Sequence, residues 1–370
     1  MKASHKHLPA LDGIRALAVF VVVLYHAGVA HVPGDLGVTA FFVLSGFLIT
    51  WLLDAEYART GSVSLREFYI RRTLRIFPAY YVFVILSLVA DFALGHPWSK
   101  GLIASAFTYT VNYYNAFQGH PSTTVAHAWS LGVEEQFYLL WPVAFLALTR
   151  RGNSRVRQTG VLWIILLVVV WRSALFLLAG ASPSYVYNAF DARADALAIG
   201  CFIALAANGA TYRRFERAVR SSGWLPLITL GLLYYSRQSG SDRYHYTLGM
   251  TVDALLLGIF IIQMLGLSET RGWNWLNSRP ARWLGLISYP CYLWHPWGLD
   301  IGSHLFAPTT HKWAAIFVGY LTTIALAASS YYVVERPFLW LKERRTAKAT
   351  KALSFPASVG STDAIMGLAE

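Results

Sequence analysis

Long apolar stretches, each bounded by short polar or basic segments, recur from one end of the chain to the other. A hydrocarbon core about 30 Å thick is crossed by about 20 mostly apolar helical residues, and about ten stretches approach that length. They are Leu11–Ala30, Leu36–Leu53, Phe77–Leu94, Trp129–Thr149, Gly160–Gly180, Ala189–Ala207, Gly223–Tyr235, Thr247–Leu267, Leu284–Ser303 and Trp313–Phe338. The pattern predicts an all-α polytopic membrane protein with about ten transmembrane helices. One stretch fits badly. Gly101–Phe117 begins apolar and then carries Thr108, Thr110, Asn112 and Asn115, which predicts a re-entrant or interfacial piece.

The loops supply an orientation. Let the N-terminus be cytoplasmic and 101–117 not cross the membrane. The basic stretches Arg66–Arg75, Arg150–Arg157, Tyr212–Arg220, Thr270–Arg282 and Leu341–Lys351 then all fall inside, as positive charge near spans favours. Only Arg237–Tyr246 places two arginines outside. Both termini are then cytoplasmic. Lys2 and Lys6 ahead of an apolar run imitate a secretory signal, but the many spans that follow favour an uncleaved first helix. A membrane domain over residues 1–340 is expected, followed by a basic tail, 341–370, too rich in Ser, Ala and Gly to fold.

Composition agrees with the pattern. The chain is 56% hydrophobic and 14% charged, against about 25% charged in soluble domains. The 14 Trp and 21 Tyr suit membrane interfaces. A net charge of +12 invites a nucleic-acid partner, but the basic residues sit in short loops and no soluble basic domain exists. Nucleic acid is therefore excluded. Cys201 and Cys291 lie in apolar segments and are expected to pack as small hydrophobes without a disulfide. No metal-ligand spacing, phosphate-binding glycine loop or internal repeat is present in the sequence.

Ionisable residues inside spans cost free energy unless they meet a cavity or partner, so each is a functional candidate. Arg15 and His26 are eleven residues apart, which returns them to within about 20° of one helix face and separates them by about 16 Å. That line suits the wall of a path across the membrane. It suits equally an Arg15 that snorkels and a His26 that only packs. In "WSLGVEEQFYLLWP", Glu134 and Glu135 fall near the expected depth of His26, where a carboxylate would raise the histidine's basicity and fix its tautomer. A buried ion pair with Arg193 or another cation is the competing reading. Asp191, Arg193 and Asp195 stand at the mouth of the sixth span and could bind a polar acceptor or neutralise one another. The ninth span brings Ser288, Tyr289, Tyr292 and His295, the last a second acid/base candidate or a helix-to-helix hydrogen bond. Ser45 and Gly46 make the middle of the second span small enough for a close neighbour or a slender ligand. Arg72 and Arg75 share a helix face in "REFYIRRTLRIFP". Their forks suit phosphate oxygens or anionic lipid headgroups.

These segments together identify a family. "LDGIRALA" with the following His26, "FFVLSGFLIT", "FYIRRTLRIFPAYY", "WSLGVEEQFYLLWP", "RADALAIG", "ISYPCYLWHP" and "VERPF" occur in this order over nearly the whole chain. In that order they resemble the acyltransferase-3 family of bacterial integral-membrane acyltransferases. The resemblance implies acyl transfer from acyl-CoA, most often acetyl-CoA, to a hydroxyl of a carbohydrate or glycosylated molecule, without a metal. It implies a functional Arg15–His26 pair, a CoA-linked pair at Arg72 and Arg75, an acidic pair at Glu134 and Glu135, and a motif glutamate at Glu335. Many relatives carry a periplasmic esterase-type domain after the membrane part; a member acting alone is expected here.

The expected mechanism has the CoA phosphates held by Arg72 and Arg75, its arm passing Arg15 and Ser45, and His26 as general base or transient acyl acceptor. Glu134, Glu135 and His295 are expected to assist, with Arg193, Asp195 and Tyr292 on the substrate. The setting would be the cytoplasmic membrane of a bacterium, with its lipids as neighbours. A flippase for a lipid-linked glycan would use the same polar path without chemistry.

Overall fold

The computed structural model describes residues 9–341 apart from 151, 208 and 307. The expected tail, 341–370, lies outside the described residues except for Leu341. The described chain is helical without strands. Its helices are α1 (Pro9–His26), α2 (Gly34–Thr60), α3 (Leu65–Ala93), α4 (Lys100–Phe107), α5 (Val111–Gln118), α6 (Trp129–Arg150), α7 (Ser154–Leu177) and α8 (Pro183–Asn188). They continue as α9 (Phe190–Ala206), α10 (Ala210–Arg220), α11 (Leu225–Ser239), the single turn α12 (Asp242–Tyr244), α13 (Met250–Leu267), α14 (Arg279–Leu286), α15 (Ser288–Leu305) and α16 (Pro308–Ser330). By length and composition, seven described helical segments can cross a membrane. Outward faces agree: α7 exposes Leu162, Trp163, Leu166, Leu167 and Val170, an apolar strip that water would not tolerate.

Every predicted span contains a helix, but the ends differ for local reasons. The third begins at Leu65, because Ser64 caps it by accepting from the Glu67 amide and the basic stretch runs unbroken into the apolar part. Arg72 and Arg75 therefore ride on the spanning helix itself. The eighth and tenth are extended by wide π turns, His245–Gly249 and Tyr331–Glu335. The ninth is broken at Ile287, between α14 and α15.

The segment 101–117 folds as α4 and α5, of eight residues each. Each is about 12 Å long, far short of a hydrocarbon core of about 30 Å. Its polar residues are spent on the corner and on α6: the Asn112 side chain donates to Gln136 at 3.2 Å, and Asn115 to the Ala126 carbonyl at 2.9 Å.

At the centre α9 is buried along nearly its whole length and lies against α2. A Cβ on Gly46 would collide with the Leu197 carbonyl, and one on Gly200 with the Val43 carbonyl. Each helix thus supplies the gap that the other's backbone fills. Helix α7, otherwise largely exposed, is tied to this centre by Arg172, the largest fully buried side chain among the described residues.

Candidate active site

Two adjoining cavities of different chemistry lie between α1, α2, α6 and α15. The narrower, of about 90 Å³, is lined by Arg15, Ser45, Arg72, Arg75, Glu134 and Glu135, with Tyr138, Tyr289 and Tyr292 among its walls. Ser45 donates to Glu134 Oε1 at 3.1 Å. The Tyr138 hydroxyl lies 3.0 Å from Ser45 and 3.2 Å from Glu134 Oε2. Arg15 pairs with Asp12 at 3.3 Å. Arg72 lies over the Tyr138 ring at 5.0 Å, and among the described residues neither it nor Arg75 forms an ion pair with a carboxylate. Two guanidinium forks lining a narrow cavity without a carboxylate partner are a ready anion site.

The wider cavity, of about 1060 Å³, is lined by His26, His120, His127 and His295, with aromatic walls from Tyr25, Trp129, Tyr187 and Tyr292. His26 is the last residue of α1; two residues on, the Gly28 carbonyl accepts from Lys312 on α16 at 2.8 Å. The His26 and His295 ring centres are 4.7 Å apart, and those of His295 and His127 are 4.8 Å apart. His26 Nδ1 is 2.9 Å from the Val22 carbonyl and His295 Nδ1 is 2.7 Å from that of Tyr292. A carbonyl only accepts, so both Nδ1 atoms carry a proton, and each ring when neutral presents Nε2 as a lone pair. Nε2 of His295 and of His127 is buried without a hydrogen-bond partner among the described residues. The rings do not converge as ligands: among the described residues no group of three or more His, Cys, Asp or Glu could hold a metal ion. Partial burial in the cavity wall pushes the His120 imidazole below its ordinary value; a hydrogen bond to Asn188 opposes this and the neighbouring His26 adds to it.

The cavities share two residues, Val38 and Tyr292. The Tyr292 hydroxyl is 2.6 Å from Ser130 Oγ and donates to the His127 carbonyl at 2.9 Å. Arg15 and His26, on one face of α1 as their spacing predicts, line one cavity each.

Three sequence expectations need correction. Glu134 and Glu135 do not sit beside His26. They lie five and six residues into α6, about 8 Å past its start, and face the arginines. Asp195 reaches neither cavity: it accepts from Arg172 at 2.9 Å and from Thr251 at 2.5 Å. Arg172 spends its other donors on the Thr247 and Ala192 carbonyls and on Thr251. Arg193 also stops short of the wider cavity. It donates to Thr39 at 3.1 Å and lies behind the wall, 6.0 Å from the Trp129 ring and 5.3 Å from that of Tyr187. Asp191 is taken up by Tyr113 and Trp171 at 3.1 and 2.7 Å. Glu335 is buried just outside the narrow cavity, and both cysteines are free and buried.

The sequence reading overlooked His127, which closes the row of imidazoles. Its signal was available: a titratable residue two positions ahead of Trp129, where a span begins.

A sequence model of a family described as an acyltransferase domain matches residues 8–332. YrhL of Bacillus subtilis is 31% identical over 355 residues, covering 90% of this chain and 55% of that protein. The peptidoglycan O-acetyltransferase OatA of Listeria monocytogenes is 31% identical over 354 residues, 90% of this chain and 56% of its own length. The O-acetyltransferase OatA of Staphylococcus aureus is 31% identical over 357 residues, 90% and 57% respectively. The chain thus spans about half the length of these curated relatives. No solved structure matches it.

Proposed function

This chain belongs to the acyltransferase-3 family, and we propose that it transfers an acyl group, acetyl in the simplest case, from acyl-CoA to a carbohydrate hydroxyl across the two cavities. The observation that carries this reading is that the cavities share Val38 and Tyr292 in their walls, with Arg72 and Arg75 on one side and imidazoles on the other. Arg72 and Arg75 hold donor phosphates from the cytoplasmic side, where the basic loops lie, and Arg15 meets the arm further in. Glu134 fixes Ser45 and with Glu135 balances the arginines. The acceptor enters the wider cavity, whose Tyr25, Trp129 and Tyr187 offer faces to a sugar ring. The relatives' names, peptidoglycan O-acetyltransferase among them, favour acetyl and a glycan.

The chemistry follows from the tautomer. The acceptor oxygen attacks the thioester carbonyl as His26 Nε2 takes its proton. The carbon–sulfur bond breaks, the carbon–oxygen bond forms, and CoA leaves as a thiolate that is protonated on the donor side. His295, with its own Nε2 lone pair 4.7 Å away between ring centres, is placed to relay the proton. Positioned base catalysis contributes about 10²–10⁴-fold, so His26→Ala is expected to lose at least about 10²-fold in transfer of radiolabelled acetyl from acetyl-CoA to muropeptides by protein in liposomes. Full transfer by that variant sinks the assignment. Label trapped on His26 before acceptor is added would replace direct attack with a two-step transfer through an acyl-histidine. Movement of a lipid-linked glycan without any acyl transfer would favour a flippase.

A further inference from the structure

Arg237 is one of the two arginines that the loop pattern leaves on the outer side, and its partners account for it. From α11 its fork meets Asp35, in the first turn of α2, at 2.6 and 2.9 Å, one nitrogen to each carboxylate oxygen. One of those nitrogens also donates to Asp253 on α13 at 3.1 Å. A fork that grips both oxygens fixes the plane of the carboxylate as well as its place. The two acids differ in what else they can reach. The Asp253 side chain is 4% exposed, whereas that of Asp35 is 21% exposed and stands in the wall of the wider cavity. An ionised carboxylate has about four acceptor sites, and Arg237 fills two of those on Asp35. Beside it, the Gly34 backbone lies so close to Tyr25 that a Cβ there would stand 2.4 Å from the Tyr25 Cβ and Cγ. The same wall thus holds a fixed carboxylate and the aromatic side chains of Tyr25, Trp129 and Tyr187. Apolar faces with a few oriented acceptors suit a ring that carries hydroxyls.

We propose that Asp35 determines acceptor specificity: its carboxylate, aimed by Arg237, accepts a hydrogen bond from a hydroxyl of the sugar in the wider cavity. The inference rests on the acceptor assignment above and names the side chain that reads the acceptor. Arg237 is then a positioning residue that acts through Asp35. A carboxylate only accepts, so it distinguishes a free hydroxyl from the same position without one. A hydrogen bond to a charged group is worth at least about tenfold in such discrimination.

The test uses the full-length protein in liposomes with acetyl-CoA, the best acceptor among a disaccharide muropeptide, chitobiose and maltose, and the monodeoxy analogues of that acceptor. Asp35→Asn should raise KM for the acceptor at least about tenfold and leave KM for acetyl-CoA within about twofold. One deoxy analogue should cost the wild type at least about tenfold in kcat/KM and cost Asp35→Asn less than about twofold, because the hydroxyl has lost its partner in both cases. Asp35→Glu keeps the charge but displaces the oxygens, and should shrink the same penalty at least about threefold, so the comparison survives if Asp35→Asn does not fold. Each penalty is a ratio within one preparation, so partial misfolding cancels. An acceptor KM within about twofold of the wild type in Asp35→Asn overturns the role of Asp35 and leaves the acyltransferase reading intact. So does a deoxy penalty of the same size in wild type and variants, or an equal loss toward donor and acceptor, which would make Asp35 a packing residue. A wild type that acetylates none of the three acceptors overturns the underlying reading and the role of Asp35 with it.

Discussion

His26 and His295 reach the same protonation geometry by the same local device. Each donates its Nδ1 hydrogen bond to a carbonyl one turn back on its own helix, Val22 and Tyr292 respectively, and each when neutral keeps its lone pair at Nε2. At this scale His295→Asn tests the relay. It preserves a donor near the Tyr292 carbonyl and removes the lone pair; transfer should fall at least about tenfold with unchanged acetyl-CoA binding. A fall in binding of the same size would make His295 a packing residue instead. Asp195 illustrates the opposite case. It looked functional because an acid within a span is costly, yet Arg172 accounts for that cost. Breaking a buried pair leaves a bare charge worth about 3–5 kcal/mol. Asp195→Ala should therefore destabilise the protein by about that much in thermal unfolding. Asp195→Leu combined with Arg172→Met should recover most of it. Full stability with lost transfer would return Asp195 to the site. The sequence could show which residues are ionisable in spans, but a charge that faces a partner and one that faces a cavity look alike along the chain.

Among the elements, the contact of α2 with α9 does most to shape the site, since it sets where Ser45 and Val38 stand. Backbone carbonyls meet glycines at Gly46 and Gly200, so an added methyl has no flexible side chain to displace. Gly200→Ala should cost about 1–3 kcal/mol by overpacking, measured by thermal unfolding in detergent, and unchanged unfolding would mean that the helices part freely. The hydrophobic pattern marked these helices well because length and apolarity are enough to recognise a buried span. It marked their ends poorly, since capping at Ser64 and the π turns depend on backbone hydrogen bonds that hydropathy does not register. The segment 101–117 was legible as an anomaly from Asn112 and Asn115. That these two asparagines would serve α6 and the short helical turn ahead of it, at Gln136 and Ala126, was not.

Over the whole molecule, α1 runs along two cavities that α2, α6 and α15 enclose, with Arg15 lining the narrower and His26 the wider. The spacing of these two residues foretold their common face, and the order of the motifs foretold the family. What the sequence left open was how the other groups divide between them: the glutamates joined the arginines, and His127 joined the histidines. Under the proposed function donor binding and chemistry fall to different cavities, and that division can be measured directly. Acetyl-CoA affinity and acetyl transfer should be determined side by side for the wild type, the Arg72→Ala/Arg75→Ala double variant and His26→Ala. The predicted result is that the double variant binds acetyl-CoA at least about tenfold more weakly, from two lost charge-assisted contacts. His26→Ala should bind within about twofold of the wild type while transferring at least about 10²-fold more slowly. Wild-type donor affinity in the double variant, or wild-type transfer without His26, would contradict it.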